Sequence, residues 1–347
     1  MNSLKETKNT ITRKSVNTIL RDLFNYEHIE FNNYKNNLNK KHNLYFRGES
    51  SYYEFRTPSL YLQKNLTNNG SEYYYRVLLN ELGRNDYQEN TSLVRLISEL
   101  QHYGAKTRML DITNPLIALY FAVEKDDDKP GYVYIYSDRL NEKFDTGHTI
   151  AIKSALNFMP QNIINNFFTA IEYLKKVNSK QLEDFELYTT DSLKDIGLLT
   201  TGYSESIREF MELLNQRAKV RERLNFPFKI YNDLQRSHIV IPSKATDRIR
   251  QQQGAFIYPR FVNTSNKEHE TIKQEISKSI DKLAVTLFTP KTSSSKDYIS
   301  FSVIKIDPAN KKEIRRELEL LGITEGFVYP DIEHQSRALL NILTNDN

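Results

Sequence analysis

The sequence predicts an α+β fold: a mixed sheet packed by helices, with a helical insertion. Three observations carry that reading. Segments that alternate like strands, such as 132–136 and 300–306, are interspersed with stretches of helical spacing. The chain has 347 residues, 39% of them hydrophobic and 27% charged, so it can bury a sizeable core. Between about residues 150 and 225 helical periodicity runs alone, with charge on the other faces, as in an inserted helical unit.

Residues 1 to about 14 are polar and are expected to carry no element. Val16, Ile19, Leu20, Leu23 and Phe24 then form one face of an amphipathic helix, with Ser15 as N-cap. We divide the chain into an N-terminal helical extension, 1–39, and a single domain, 40–340, that contains the insertion at about 150–225. Leu44-Tyr45-Phe46 reads as a short buried strand that stops at Arg47-Gly48 and delivers a charge at its end. Pro58 turns Thr57 away from helix, and helices are expected at 72–82 and 91–102. The polar stretch from Tyr103 ends at Asn114-Pro115 and feeds an apolar helix, 116–123, whose first turn suits Pro115. A turn at Asp126-Asp127-Asp128-Lys129-Pro130-Gly131 precedes the strand 132–136. Inside the insertion, helices are expected at 163–173 and 204–224, with a break at Phe226-Pro227-Phe228. A strand at 237–241, a helix at 243–252 and a strand at 255–258 follow. Residues 263–296 are polar and helical in part, 300–306 is a strand, and the helix 308–321 stops at Gly322. Phe327-Val328-Tyr329-Pro330-Asp331 and a last helix complete the chain.

Composition removes several classes of function. There is no cysteine, hence no disulfide, thiolate nucleophile or cysteine-held metal. Of the seven histidines, His28, His42, His148, His238, His269 and His334 show no ligand spacing, and no metal site is expected. The net charge, 48 − 44 = +4, is too weak to imply nucleic acid by itself. The sequence holds no Gly-x-x-x-x-Gly-Lys-Ser/Thr loop, no Gly-x-Gly-x-x-Gly and no Gly-x-Ser-x-Gly elbow. No apolar run approaches the roughly 20 residues that span a bilayer, and the first residues lack an apolar signal core, so the expected location is the cytoplasm.

Three segments resemble the FRG domain family, named for its aromatic-Arg-Gly motif. The first is Phe46-Arg47-Gly48-Glu49 with Pro58-Ser59-Leu60. The second is Leu100-Gln101-His102-Tyr103-Gly104, then Thr107-Arg108-Met109-Leu110-Asp111, Thr113-Asn114-Pro115 and Ala118-Leu119-Tyr120-Phe121-Ala122. The third is Arg248-Ile249 with Gln252-Gln253-Gly254-Ala255-Phe256, and a weaker tail follows at Tyr329-Pro330-Asp331. The family has a proline where this chain has Lys106 and a tryptophan where it has Ile112, both packing differences that leave the polar pattern intact. The resemblance implies a bacterial or phage context with links to antiphage defence or toxin-like effectors. Residues 150–225 lie outside it.

The polar clusters in these motifs are the candidate site. Arg47, at the end of an aromatic strand and beside Gly48, presents a planar fork suited to a phosphate or carboxylate, with Glu49 or Asp111 as alternative internal partners. The strand-Arg-Gly arrangement also resembles the first motif of ADP-ribosyltransferases, where an Arg holds an NAD phosphate. Thr113 stands where such enzymes need a hydroxyl, while no clean late Glu-x-Glu follows the core motifs. Arg108 is a second anion contact or a buried partner of Asp111. His102 and Asp111 are candidates for a general acid–base pair, His102 alternatively being satisfied at a helix end. Asn114, Gln252 and Gln253 are candidate ligand contacts, the glutamines alternatively tying down a loop. In role, His102, Asp111 and Thr113 are the catalytic candidates. Arg47, Gly48, Glu49, Arg108, Asn114, Gln252 and Gln253 are the ligand-binding candidates. The expected function is a nucleotide-directed enzyme that takes NAD as substrate in a glycosidase or transferase reaction, with no cofactor. The alternatives are an RNA/DNA-binding or nuclease module and a protein-partner sensor or scaffold.

Overall fold

The computed structural model describes residues 9–34, 43–83, 92–138, 141–177, 185–194, 201–244, 246–291 and 297–344. The chain opens with β1 (Thr10–Thr12), α1 (Val16–Tyr34), β2 (Tyr45–Glu49), a 3-10 turn at Ser59–Leu62, α2 (Lys64–Asn69), α3 (Glu72–Glu81) and α4 (Leu93–His102). β3 (Leu110–Ile112), α5 (Pro115–Val123), β4 (Gly131–Tyr136), β5 (Lys143–Phe144), α6 (His148–Ala155), α7 (Gln161–Val177), α8 (Thr201–Arg217) and α9 (Pro227–Leu234) follow. Then come β6 (His238–Ile241), α10 (Asp247–Gln252), β7 (Ala255–Tyr258), α11 (His269–Asp281), β8 (Leu287–Pro290), β9 (Tyr298–Phe301) and β10 (Val303–Ile306). The last elements are α12 (Pro308–Leu320), α13 (Glu325–Val328) and α14 (Ile332–Thr344).

The fold is α+β, with two four-stranded mixed sheets rather than one. The first has the order β1-β10-β4-β2 and the second β3-β7-β6-β5, while β8 pairs with β9. In each large sheet one neighbouring pair is parallel, β1 with β10 and β5 with β6, and the others are antiparallel. A single antiparallel bridge joins the two sheets at Phe46 and Thr113, whose backbones exchange hydrogen bonds of 2.8 and 2.7 Å.

Alternation along β2 decides which side chains meet solvent. Tyr45, Arg47 and Glu49 stand opposite Tyr136, Tyr134 and Tyr132 of β4, on one face. Phe46 and Gly48 turn to the other face, with Val133 and Ile135, and are covered by α5. α5 is apolar throughout: the sheet and α12 bury most of it, and Phe121 lines the cleft described below. Asn114 caps it by accepting from the Ile117 N–H at 2.9 Å, and Pro115 occupies its first turn. The helix lies so close to the sheet that a Cβ on Gly48 would fall 1.7 Å from the Ala118 carbonyl oxygen, and one on Gly131 2.1 Å from that of Ala122.

The facing sides of the two sheets hold a common core with α11 and the 3-10 turn: Leu60, Tyr61, Leu110, Ile112, Ile239, Ile257, Ile272 and Ile276. The helices of 150–225 cover the far side of the second sheet. Their core, with Phe167 and Phe210 stacked at 3.8 Å, runs without interruption into α3, α4, Phe256 and Tyr258. Among the described residues two lysines, Lys153 and Lys311, are completely buried. Lys153 donates to the carbonyls of Arg236, Tyr258 and Pro259, and Lys311 to those of Ser50, Lys125 and Asp126.

Several expectations are corrected. Residues 10–12, read as bare, form an edge strand held by β10, about 300 positions away in sequence. β2 does not stop at Arg47-Gly48 but continues to Glu49, so Arg47 sits within the strand. Residues 110–112, within a stretch for which no element was expected, are β3. Pro227 starts α9 rather than breaking the chain, since proline suits a first helical turn. The helix expected at 243–252 begins at Asp247, where Thr246 accepts from the Ile249 N–H. The strand 300–306 is split at Ser302, and its halves β9 and β10 join different sheets. Thr91, the expected start of α4, lies outside the described residues; Ser92 supplies the cap by accepting from Arg95.

Candidate functional site

A cleft of about 480 Å³ opens where β2 of one sheet meets β3 of the other. β2 contributes Arg47, Gly48 and Glu49, α4 contributes Gln101 and His102, and β3 with the residue after it contributes Asp111 and Thr113. α10 adds Arg248 and Gln252, the end of α5 adds Glu124, and the segment after β2 adds Arg56 and Thr57. Tyr53, Phe55, Phe121, Phe256 and Tyr329 supply aromatic walls.

Arg47 holds the two sheets together as well as facing the cleft. Its Nε donates to Glu49 Oε1 at 3.0 Å, and its Nη1 donates to the Asp111 backbone carbonyl at 3.0 Å. Burial opposes its charge, but Glu49 and Asp111 outweigh that effect and raise its pKa. The Asp111 carboxylate is taken by Gln101, whose Nε2 lies 2.8 Å from each oxygen. Gln101 is itself oriented by the buried Thr107 hydroxyl, which donates to its Oε1 at 2.6 Å. Asp111 is exposed toward the cleft yet walled in by protein. Desolvation raises its pKa against the pull of Arg47, Arg248 and Gln101.

His102 and Asp111 line the same cleft but do not pair with each other. His102 Nδ1 lies 3.0 Å from Arg248 Nη1. A guanidinium only donates, so Nδ1 is the acceptor and the imidazole proton sits on Nε2. Burial and then Arg248 lower the His102 pKa, which keeps the ring neutral. Arg248 also lies over the Tyr329 ring, 5.0 Å from its centroid, and Tyr329 OH donates to Glu124 at 3.0 Å. Desolvation raises the Glu124 pKa in spite of that bond.

The remaining candidates have other placements. The Thr113 hydroxyl donates to the Gln252 carbonyl, and the Gln252 side chain donates to the Val328 carbonyl at 2.9 Å, so Gln252 ties α10 to α13. Gln253 is exposed in a left-handed conformation (φ +48°) that ends α10, outside the cleft lining. Asn114 is used as the cap of α5. Arg108 is buried away from the cleft and does not meet Asp111. It lies over the Phe261 ring at 4.9 Å and reaches Gln161 Oε1 at 3.3 Å. With no carboxylate against it among the described residues, Arg108→Met is expected to cost less than the roughly 3–5 kcal/mol of breaking a buried ion pair. Urea unfolding of the variant checks this.

Gln101, Arg248, Glu124 and Arg56 line the cleft and were not among the sequence candidates. Gln101 and Arg248 fall within the motif segments, so their neighbourhood was a signal. Glu124 and Arg56 carried none, since each reaches the cleft through contacts distant in sequence. Among the described residues no group of three His, Asp or Glu is placed to hold a metal ion, and no helix is long and apolar enough to cross a membrane.

Residues 42–130 match the family model of the FRG domain, so the chain carries an FRG domain. That span runs from β2 to the end of α5 and includes Arg47, Glu49, Gln101, His102, Asp111 and Glu124 of the cleft. No curated protein and no solved structure matches the chain.

Proposed function

We propose that the cleft binds a nucleotide, NAD first among them, and that the protein acts on it as a glycosidase or transferase. One observation carries this reading. Guanidiniums from three separate segments, Arg47, Arg56 and Arg248, converge in a ligand-sized cleft with two carboxyls, Asp111 and Glu124, whose pKa values are raised. Arginine forks suit phosphate, and the aromatic walls suit a heterocyclic ring. A carboxylate facing the anomeric carbon stabilises the oxocarbenium-like charge that develops as a glycosidic bond breaks. The cleft lining mixes cations with carboxylates, which weighs against a continuous basic track for nucleic acid. Consumption of NAD is a chemistry that an antiphage or toxin-type effector can use, the context that the resemblance to the FRG family implies.

Incubation of the protein with NAD, NADP, ATP and GTP, followed by mass spectrometry, tests the reading. Nicotinamide release or a protein mass gain of one ADP-ribose is the expected result. Arg47→Lys keeps the charge but loses the fork, and is expected to lower turnover at least about tenfold with the protein still folded. A wild-type protein inert toward the whole panel overturns the proposal.

A further inference from the structure

Among the described residues, three that line the cleft carry a buried polar atom with no hydrogen-bond partner, Glu49 Oε2, Arg56 Nε and Thr57 Oγ1, and the buried Tyr136 hydroxyl close to Glu49 and Arg56 has none either. All three residues line the cleft, and Glu49 and Thr57 are only 5% and 7% exposed. Their other bonds are already committed. Glu49 Oε1 accepts from Arg47, and Arg56 Nη2 donates to Asp281 at 2.8 Å. Arg56 is held flat, its guanidinium carbon 4.1 Å from the centroid of the Tyr134 ring. Unmet buried groups are costly, and here they cluster on one wall of the cleft.

The free atoms form a chemical complement. Glu49 Oε2 can only accept, Arg56 Nε–H can only donate, and the Thr57 hydroxyl can do either. A phosphate fits poorly, because Glu49 presents it with a free anionic oxygen. A sugar diol that chelates a carboxylate needs both of its oxygens, and Arg47 holds one of them. A primary carboxamide offers one N–H and one carbonyl oxygen side by side, which matches one acceptor and one donor.

Resting on the nucleotide reading above, we infer that this corner is a subsite for a primary carboxamide on an aromatic ring, as in the nicotinamide end of NAD. The ligand's N–H donates to Glu49 Oε2, its carbonyl accepts from Arg56 Nε, and Thr57 Oγ1 meets whichever group remains. The phosphates are then left to Arg248, the cleft guanidinium that this subsite does not engage.

The test is calorimetric titration of the full chain with nicotinamide and with nicotinic acid, which replaces the amide by a carboxylate. Wild type is expected to bind nicotinamide at least about tenfold more tightly than nicotinic acid. Glu49→Gln keeps an acceptor for Arg47 and turns the free position into a donor, so the preference is expected to fall toward parity or invert. Thr57→Val removes a hydroxyl without a partner. Its unfolding midpoint is expected to stay level or rise, while nicotinamide affinity drops roughly threefold to tenfold. Equal binding of the two compounds by wild type overturns the inference, as does no binding of nicotinamide or an unchanged preference in Glu49→Gln. If Glu49→Gln fails to fold, unchanged nicotinamide affinity in Thr57→Val overturns it. The two proposals fail separately. A nicotinamide preference without NAD turnover leaves the subsite standing and removes the enzyme. Turnover with no preference does the reverse.

Discussion

Gly48→Ala is expected to lose the native fold, or to retain it only with a stability several kcal/mol below wild type. The added Cβ falls 1.7 Å from the Ala118 carbonyl oxygen, with the Ala118 carbonyl carbon and the Ala122 nitrogen at 2.8 and 2.9 Å. Overpacking costs about 1–3 kcal/mol where side chains can give way. Here the obstacles are backbone atoms of α5, so relief requires lifting the helix off β2 and opening the core it covers. A domain has only about 5–15 kcal/mol in hand. Gly104→Ala is the control. Nothing lies within 4 Å of its Cβ, and only the positive φ of +91° opposes it, worth roughly 1 kcal/mol. Urea unfolding of both variants decides the matter. A Gly48→Ala protein as stable as Gly104→Ala would show that α5 can retreat without loss.

Lys153 is expected to make the stability of the wild-type protein rise with pH above neutrality. Its side chain is fully buried against three carbonyls, and burial lowers its pKa to about 7, only partly offset by Asp233. The unfolded lysine titrates near 10.4. Below pH 7 both states hold the proton and the burial penalty is present in full. Between pH 7 and about 10.4 the unfolded state binds more protons, so stability increases with pH. From pH 7 to pH 9.5 the gain is up to about 3 kcal/mol, taking roughly 1.4 kcal/mol per unit. His238 nearby, lowered to about 3, is neutral in the folded state throughout this window, and because its unfolded form titrates near 6.5 it adds only about 0.2 kcal/mol to the rise, all of it close to pH 7. Lys153→Met leaves the carbonyls unpaired and is destabilised at every pH, but its unfolding curve should lack this rise. Parallel pH profiles for the two proteins would mean that Lys153 does not titrate in that range.

Local pattern made part of this fold legible. The alternation of 132–136, the Asn114-Pro115 cap and the stop at Gly322 are each decided within a few residues, and the structure has all three. Elements set by distant partners were not. β1 is three residues long and exists because β10 offers it an edge. β3 is equally short, and β7 and the Phe46 bridge define it. The continuation of β2 through Arg47-Gly48-Glu49 was hidden because a charge and a glycine resemble the end of a strand. Only the close approach of α5 explains the glycine.

The candidate site was legible as residue types and not as pairs. Arg47, Asp111 and His102 do line one cleft. Their partners, Glu49 and the Asp111 carbonyl for Arg47, Gln101 for Asp111 and Arg248 for His102, depend on how two sheets and two helices meet. Arg108, read as a second anion contact, lies instead among aromatic rings, because the chain turns it inward just before β3.

The bridge between Phe46 and Thr113 has a practical consequence. Two backbone hydrogen bonds and the Arg47 reach to Asp111 are what close the seam between the sheets at the cleft. The Phe46 and Thr113 amides are therefore the protons whose solvent exchange reports the width of that seam. Amide deuteration at those two positions reads the opening of the cleft directly, and a molecule that bridges the two sheets slows it at both positions together.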